Sequence, residues 1–259
     1  MSSESIGPLP ALTELVEYLD RYLRVAEIPD DPRALNGLQV ENSGALGPIV
    51  GAVDASQAAI DSAVAAGARM LLVHHGLFWA GLEPLRGRLG RRVRALHRGD
   101  VALYSAHLPL DCHPEVGNNP VLARELGLTD LEPFGRMQGL DIGVSGRFGG
   151  TLAELSQRLE TCLGSAPRVI GTGPEVVERV AIVTGAASNL LAECRERGIG
   201  TFVTGEGPHH TYFDAEEWGL NLIYAGHYAT ETVGVRALGD HLGRRFSLDF
   251  RFFHHPTGL

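Results

Sequence analysis

The chain has 259 residues, of which 44% are apolar and 20% charged, so it can form one large domain or two joined lobes with a buried core. The net charge of −9 comes without a run of lysine or arginine, which argues against nucleic acid or an anionic membrane surface as a partner. Three cysteines without a C-x-x-C pair argue against a disulfide framework and against a thiolate zinc site.

The N-terminal segment MSSESIGPLPALTE has neither a basic start nor an apolar stretch, so we expect no signal peptide. No apolar run in the sequence approaches the roughly 20 residues that a membrane helix needs. We therefore expect a cytoplasmic protein that does not span a membrane.

Hydrophobic spacing predicts the elements of the first half in chain order. Leu12, Leu15 and Leu19 lie at helical spacing and predict an amphipathic helix over residues 11–25. The elements expected after it are a strand at 49–56, an Ala-rich helix at 56–67, a strand at 70–74, a helix at 91–98 and a strand at 101–107.

The second half shows the same alternation of strands and helices. Thr151 and Glu154 form a capping-box pattern that starts a helix ending at 162. The other expected helices are 119–126, 188–197, 211–218 and 230–244, and the strands are 139–150, 177–185, 200–205, 221–226 and 246–253. This alternation predicts an α/β fold with mostly parallel sheets covered by helices.

Two segments of the chain resemble each other and indicate an internal duplication. GAVDAS, a helix and MLLVHHG in the first half match AIVTGAAS, a helix and TFVTGEGPHH in the second. LYSAHLPLD then matches LIYAGHYATE. We therefore expect two similar α/β lobes whose strand ends face a shared cleft, since ligands of open α/β sheets bind at the carboxyl ends of strands.

A tandem histidine pair ends one of these strands. His74 and His75 would point to opposite faces of a regular strand, so they converge only where the strand ends and the chain turns at Gly76. Each could then bind one of two metal ions. The alternative is a hydrogen-bonded pair that caps the strand.

Histidine and acid also recur four residues apart. His107 and Asp111 flank LPL, where Pro109 argues against a regular helix and a loop would aim both side chains into the cleft. His227 and Glu231 share one face at the start of the last long helix, a spacing that can supply two ligands to a metal. An ordinary loop acid and a surface His–Glu pair are the alternatives.

Glu206 and His209 follow the strand that corresponds, in the repeat, to the strand before His74. With His210, they could be metal ligands or could orient ligands and move protons, and we favour the second role for Glu206 and His209. For His210 the alternative is simple packing at a helix start. Imidazole and carboxylate without thiolate suit Zn, Mn, Fe, Co or Ni. The sequence thus predicts a site for two divalent ions built from the histidines and carboxylates at these strand ends.

The same motifs, in this order, resemble the NIF-three-like dinuclear metal-centre family, whose members are often described as GTP cyclohydrolase I type two. The resemblance rests on HHG, AHLPLD, TGEGPHH and AGHYATE, with LNGLQVEN upstream, and it runs from about residue 12 to 253. It implies that two divalent ions are held by five ligands, with Glu231 bridging both ions; the ligands are His74, His75, Asp111, His227 and Glu231. It also implies a pocket lined by His107, Glu206 and His209, and a toroidal homohexamer.

The whole chain 1–259 is then expected to be one such domain without an inserted domain. Lobe one would span about 1–130 and be closed by the final helix and strand, and lobe two would span about 131–225. The leading hypothesis is a dinuclear metal-dependent hydrolase that uses a metal-bridging water on a nucleotide or related small molecule. A metal-binding oligomeric scaffold or regulator without turnover is the alternative, and a toroid around nucleic acid is a third that the acidic charge opposes.

Overall fold

The computed structural model describes residues 11–259, which divide into two compact units. The first unit consists of the described residues up to His107 together with Gly239–Phe253, and the second of Leu108–Leu238 and His254–Leu259. The sequence had suggested lobe limits near 130 and 225. Residues 1–10, on which most of the signal-peptide expectation rests, lie outside the described part of the chain.

The first unit contains a five-stranded sheet with helices. Its strands follow the order β1-β4-β3-β2-β11, in which β1 is antiparallel to β4 and every other neighbouring pair is parallel. The elements are α1 (Leu12–Tyr22), β1 (Gly37–Val40), β2 (Ile49–Asp54), α2 (Gln57–Ala65), β3 (Met70–His75), α3 (Gly87–Gly99), β4 (Ala102–Ser105) and β11 (Phe250–Phe252).

The apolar runs of β2, β3 and β4 form the core of this unit. Val50, Leu71 and Leu103 are buried in one cluster with Ile60 of α2 and Leu96 of α3. Parallel strands covered by helices read as continuous apolar runs, which is why these three strands were predictable. The short strand β1 was not predicted, because four residues with only two buried positions carry little periodic signal.

The second unit contains a six-stranded sheet in the order β5-β6-β8-β9-β10-β7. Three of its strands, β8, β9 and β10, pair in parallel, whereas β5–β6, β6–β8 and β10–β7 pair antiparallel. Parallel pairing therefore dominates only in the sheet of the first unit. The strands are β5 (Thr129–Met137), β6 (Leu140–Thr151), β7 (Arg168–Gly171), β8 (Val176–Ile182), β9 (Thr201–Thr204) and β10 (Asn221–Tyr224).

The helices of this unit are α4 (Leu108–Asp111), α5 (Asn118–Glu125), α6 (Leu152–Leu163), α7 (Leu191–Glu196), α8 (Thr211–Trp218) and α9 (His227–Thr230), with a 3-10 turn at Ser188–Leu190. Helix α10 (Thr232–Phe246) begins in this unit, and its residues from Gly239 onward belong to the first. Thr151 caps α6 with the predicted capping box to Glu154. Within the described residues, no helix is both long and apolar enough to cross a bilayer.

Successive residues of the central strands pack into different cores. Val203 and Ile223 lie in one buried cluster, and the preceding residues Phe202 and Leu222 lie in another. Because side chains alternate along a strand, this division means that both faces of the sheet are covered.

The expected repeat is present in the order of elements. The first unit has β2-α2-β3-α3-β4, the second has β8-α7-β9-α8-β10, and in each the three strands are parallel neighbours. The chain is thus an α/β protein with two related sheets. The polar residues singled out above follow the carboxyl ends of these strands.

One local expectation was wrong. Pro109 does not prevent a helix, because Leu108–Asp111 forms a single helical turn. A proline in the first turn of a helix costs little, since the N–H that it lacks would have no intrahelical acceptor there. Asp111 therefore lies on a helical turn and not on a loop.

Candidate metal centre

The end of β3 brings His74 and His75 together in the first unit. Their ring centroids are 4.7 Å apart, and His107, which follows β4, lies 5.0 Å from His74 and 5.7 Å from His75. Each of the three histidines offers one ring nitrogen, and these nitrogens lie within 4.8 Å of one another. Three imidazoles at this spacing suit a divalent transition metal.

Each imidazole of this group is oriented by an oxygen atom. His74 is completely buried, and its Nδ1 lies 2.8 Å from the carbonyl oxygen of Ala106. Nδ1 of His75 lies 3.0 Å from Asp54 Oδ1, and Nδ1 of His107 lies 2.9 Å from Asp30 Oδ1. When Nδ1–H donates to these oxygens, the lone pair of the neutral ring is on Nε2, which is the usual arrangement for a metal-ligating histidine.

The LNGLQVEN segment supports this arrangement through side chains that the sequence alone did not single out. Asn36 accepts a hydrogen bond from the backbone N–H of His107 at 2.7 Å and donates one to Asp30 at 2.7 Å. Gln39 accepts one from the backbone N–H of Leu77 at 2.8 Å. A Cβ on Gly76 would lie 2.2 Å from Gln39 Nε2, so a glycine suits the turn after the histidine pair.

His227 and Glu231 meet in the second unit. His227 Nε2 lies 3.2 Å from Glu231 Oε1, and His227 Nδ1 lies 2.7 Å from Glu206 Oε1. Glu231 is 3% exposed and lies at the junction of α9 and α10. The hydrogen bond and charge of Glu231, followed by those of Glu206, outweigh burial and raise the pKa of His227 to about 9.

Asp111 is buried in the second unit within a network of polar side chains. Its Oδ1 accepts hydrogen bonds from Asn118 Nδ2 at 2.8 Å and from Thr184 Oγ1 at 3.3 Å. Asn119 bridges the backbone by donating to the carbonyl of Ile142 at 2.7 Å and accepting from the N–H of Thr184 at 2.8 Å. A buried carboxylate held in this way is a rigid oxygen ligand.

Gly185 provides the space that Glu231 occupies. It has a φ of 68°, and a Cβ there would lie 2.4 Å from Glu231 Oε1 and 3.5 Å from His227 Nε2. Its carbonyl oxygen also accepts a hydrogen bond from the N–H of Glu206 at 3.0 Å. Sequence reasoning missed this residue, although TG at the end of a repeated strand was a usable signal.

The structure brings some of the sequence-predicted site residues together and leaves others apart. His107 joins His74 and His75 as a possible metal ligand, whereas it had been expected only to line the pocket. Glu206 contacts His227, as expected of a residue that orients a ligand. His209 is exposed, its ring packs edge-on against Phe213 at 5.6 Å, and it belongs to neither ligand group found among the described residues.

Comparison with known proteins identifies the family. The family model Duf34/NIF3 (NGG1p interacting factor 3) matches residues 10–257. The chain belongs to the Duf34/NIF3 family. A Deinococcus radiodurans protein named GTP cyclohydrolase 1 type 2 homolog is 42% identical, with 95% of this chain and 94% of that protein covered. A Halobacterium salinarum protein of the same name is 44% identical, with 93% and 96% covered.

A solved structure shares the fold of this Duf34/NIF3 protein. TTHA1606 from Thermus thermophilus is 47% identical and superposes with a TM-score of 0.89, covering 96% of this chain and all of that one. The resemblance inferred from the motifs is thereby confirmed.

Proposed function

We propose that this Duf34/NIF3 protein is a dinuclear metal-dependent hydrolase acting on a nucleotide or related small molecule. The observation that carries the proposal is the convergence of three imidazole nitrogens, those of His74, His75 and His107, within 4.8 Å. The contact of His227 with the buried Glu231 supports it from the second unit.

The proposed ligands are His74, His75, Asp111, His227 and Glu231, and Glu231 would bridge both ions. His107, whose ring nitrogen lies within 4.8 Å of those of His74 and His75, would line the site beside them. The donor chemistry fits Zn, Mn, Fe, Co or Ni, because the set combines imidazole nitrogens with carboxylate oxygens and contains no thiolate. Such ions, when bound, would supply Lewis acidity and lower the pKa of a coordinated water. The names of the relatives support GTP cyclohydrolase chemistry as the specific activity.

The remaining polar residues would orient ligands and transfer protons. Glu206 holds the Nδ1–H of His227 at 2.7 Å, and its side chain is 47% exposed, so it can both fix the imidazole and exchange a proton with solvent. Asp30 and Asp54 fix the rings of His107 and His75 in the same way. His209, which is exposed and packs against Phe213, would exchange protons with solvent.

Metal content per chain tests the proposal most directly. The protein is purified without chelator or nickel affinity resin, and metal is measured in the wild type and in His74→Ala, Glu231→Ala and the control His210→Ala, which removes an exposed histidine. We expect about two ions in the wild type and in the control, and fewer in the other two variants. A wild type that neither contains metal nor takes it up would refute the two-metal centre.

Turnover separates the hydrolase from a scaffold. GTP consumption should require metal and should fall at least about a hundredfold in Glu231→Ala, since a bridging carboxylate positions both ions. Two tightly bound ions without any nucleotide turnover would instead support the metal-binding scaffold or regulator.

We also propose that the chain acts as a cytoplasmic homohexamer, as the family resemblance implies. Light scattering coupled to gel filtration should give about six times the chain mass of 27.8 kDa. A monomer at micromolar concentration would contradict the assembly but not the metal site.

A further inference from the structure

A polar cavity of about 200 Å³ lies beside His75 within the first unit. Its chemistry-bearing lining residues come from the ends of β2 and β3, from the segment after β3 and from α3; they are Asp54, His75, Trp79, Glu83, Arg88 and Arg92. It thus adjoins one of the proposed metal ligands, and no role proposed so far uses its two arginines.

Arg88 and Arg92 are four residues apart on α3, so they share one face of the helix. Across residues 11–259, neither guanidinium takes part in an ion pair or hydrogen bond. Arg92 is half-buried, and its buried Nε has no hydrogen-bond partner. Burial, followed by repulsion from Arg88, lowers the pKa of Arg92, and the negative charge of Asp54 offsets this only in part. A partly desolvated cation without a hydrogen-bonded counter-ion is costly, and an anion would offset that cost.

Trp79 adds a second buried donor without an acceptor. Its indole Nε1 has no hydrogen-bond partner, and its ring packs edge-on against His107 at 4.9 Å and His75 at 5.9 Å. The contacts hold the indole beside the imidazoles. Indole and guanidinium are donors only, so a ligand that satisfies them must present acceptor oxygens.

The two carboxylates in the lining form no hydrogen bond with these donors. Asp54 Oδ1 is engaged with Nδ1 of His75 at 3.0 Å, and Asp54 acts on Arg92 only through its charge. Glu83 is exposed and forms no ion pair with either arginine. The cavity therefore offers cationic and neutral N–H donors in excess of acceptors, beside the imidazole of a proposed metal ligand.

We propose that this cavity binds a phosphoryl oxyanion of the substrate, with Arg92 and Arg88 as its cationic partners and Trp79 as a neutral donor. The planar guanidinium fork matches the oxygens of a phosphate, which favours arginine over lysine for this task. The inference rests on the proposed hydrolase function and narrows its substrates to phosphorylated molecules. A nucleotide would be recognised by its phosphates, whereas a nucleoside lacks the group that the cavity binds.

Binding of inorganic phosphate, GTP and guanosine, measured by calorimetry, tests the proposal. The variants are Arg92→Gln, Arg88→Gln and Arg92→Lys, and the matched control is Arg94→Gln, which removes the same charge from an exposed position of the same helix. We expect wild type to bind GTP at least about tenfold more tightly than guanosine, and Arg92→Gln to lose at least about tenfold in phosphate and GTP affinity. Arg92→Lys should recover only part of this loss, and Arg94→Gln should match wild type.

Equal losses in Arg92→Gln and Arg94→Gln would overturn the proposal, because they would reflect only the net charge. Equal affinity of the wild type for GTP and guanosine would also overturn it. Metal content and GTP turnover are measured on the same samples. Arginine-dependent phosphate binding without metal or turnover would support the anion site and refute the hydrolase function. Metal-dependent turnover that is unchanged in Arg92→Gln and Arg88→Gln would support the hydrolase function and refute the anion site.

Discussion

Replacing Glu231 with glutamine should flatten the pH dependence of stability in the metal-free protein. The pKa of His227 stands at about 9 against an ordinary value of 6.5, and the hydrogen bond to Glu231 is the largest cause. At 1.36 kcal/mol per pKa unit, the difference corresponds to at most about 3–4 kcal/mol of folded-state preference for the imidazolium. His227 is 28% exposed and Glu231 4% exposed as side chains, so solvent screens this pair only partly.

The sign follows from the direction of the shift. A pKa that is higher in the folded than in the unfolded chain stabilises the protein fully below about pH 6.5, and the contribution disappears as the pH rises toward 9. Without the Glu231 carboxylate, the pKa of His227 falls, and only the half-exposed Glu206 still raises it. The loss of stability between these pH values should then shrink by about 2 kcal/mol.

Urea denaturation in chelator-containing buffer at pH 6.5 and 9.5 measures this effect. For each protein, the free energy of unfolding at pH 9.5 is subtracted from that at pH 6.5, and the two differences are compared between wild type and Glu231→Gln. Groups that titrate alike in both proteins cancel in this comparison. Glu206→Gln serves as the control and should flatten the dependence less. Equal drops in wild type and Glu231→Gln would show that the His227–Glu231 contact does not set the pKa.

Three further outcomes are expected. Gly185→Ala should lower metal content while the protein stays folded, because the new Cβ would displace Glu231. Gly198 has φ +64° and open space around it, so the control Gly198→Ala carries only backbone strain of about 1–2 kcal/mol and should bind metal normally. Metal uptake at pH 7 should release protons, since His227 is protonated in the metal-free protein; calorimetry in two buffers of different ionisation enthalpy should show this release, and an absence of it would contradict the raised pKa. Asn119→Ala should cost about 1–3 kcal/mol of unfolding free energy, because it leaves the buried Thr184 N–H and Ile142 carbonyl without their partner; a variant as stable as wild type would argue against that bridge.

The sequence predicted those parts of the fold that carry a strong local pattern. The apolar runs that become β3 and β10 were recognisable, and so were the histidines near their carboxyl ends, His74 within β3 and His227 after β10. The strands β1, β5 and β7 were missed because none has a continuous apolar run or a clear alternation of buried and exposed residues.

The residues that support the site were mostly not predictable from sequence. Asn119 and Thr184 meet across 65 positions of the chain, and Asp30 and His107 across 77. Such contacts depend on tertiary packing and leave no periodic signal. Reasoning by repeat also placed His209 beside the ligands, but the intervening GlyPro carries it to an exposed helix start beside Phe213.

The parallel pairing of β2 with β11 has a consequence for biosynthesis. Phe250 pairs with Ile49, so the outer edge of β2 acquires its neighbour only after roughly 200 further residues have been translated, which takes on the order of 10–40 s. Until then an apolar strand with unsatisfied backbone groups stays open to other chains. The second sheet draws all of its strands from Thr129–Tyr224 and can close earlier. The nascent chain can therefore complete the second sheet first. The sheet of the first unit, whose other strands are translated earlier, is completed only when β11 pairs with β2.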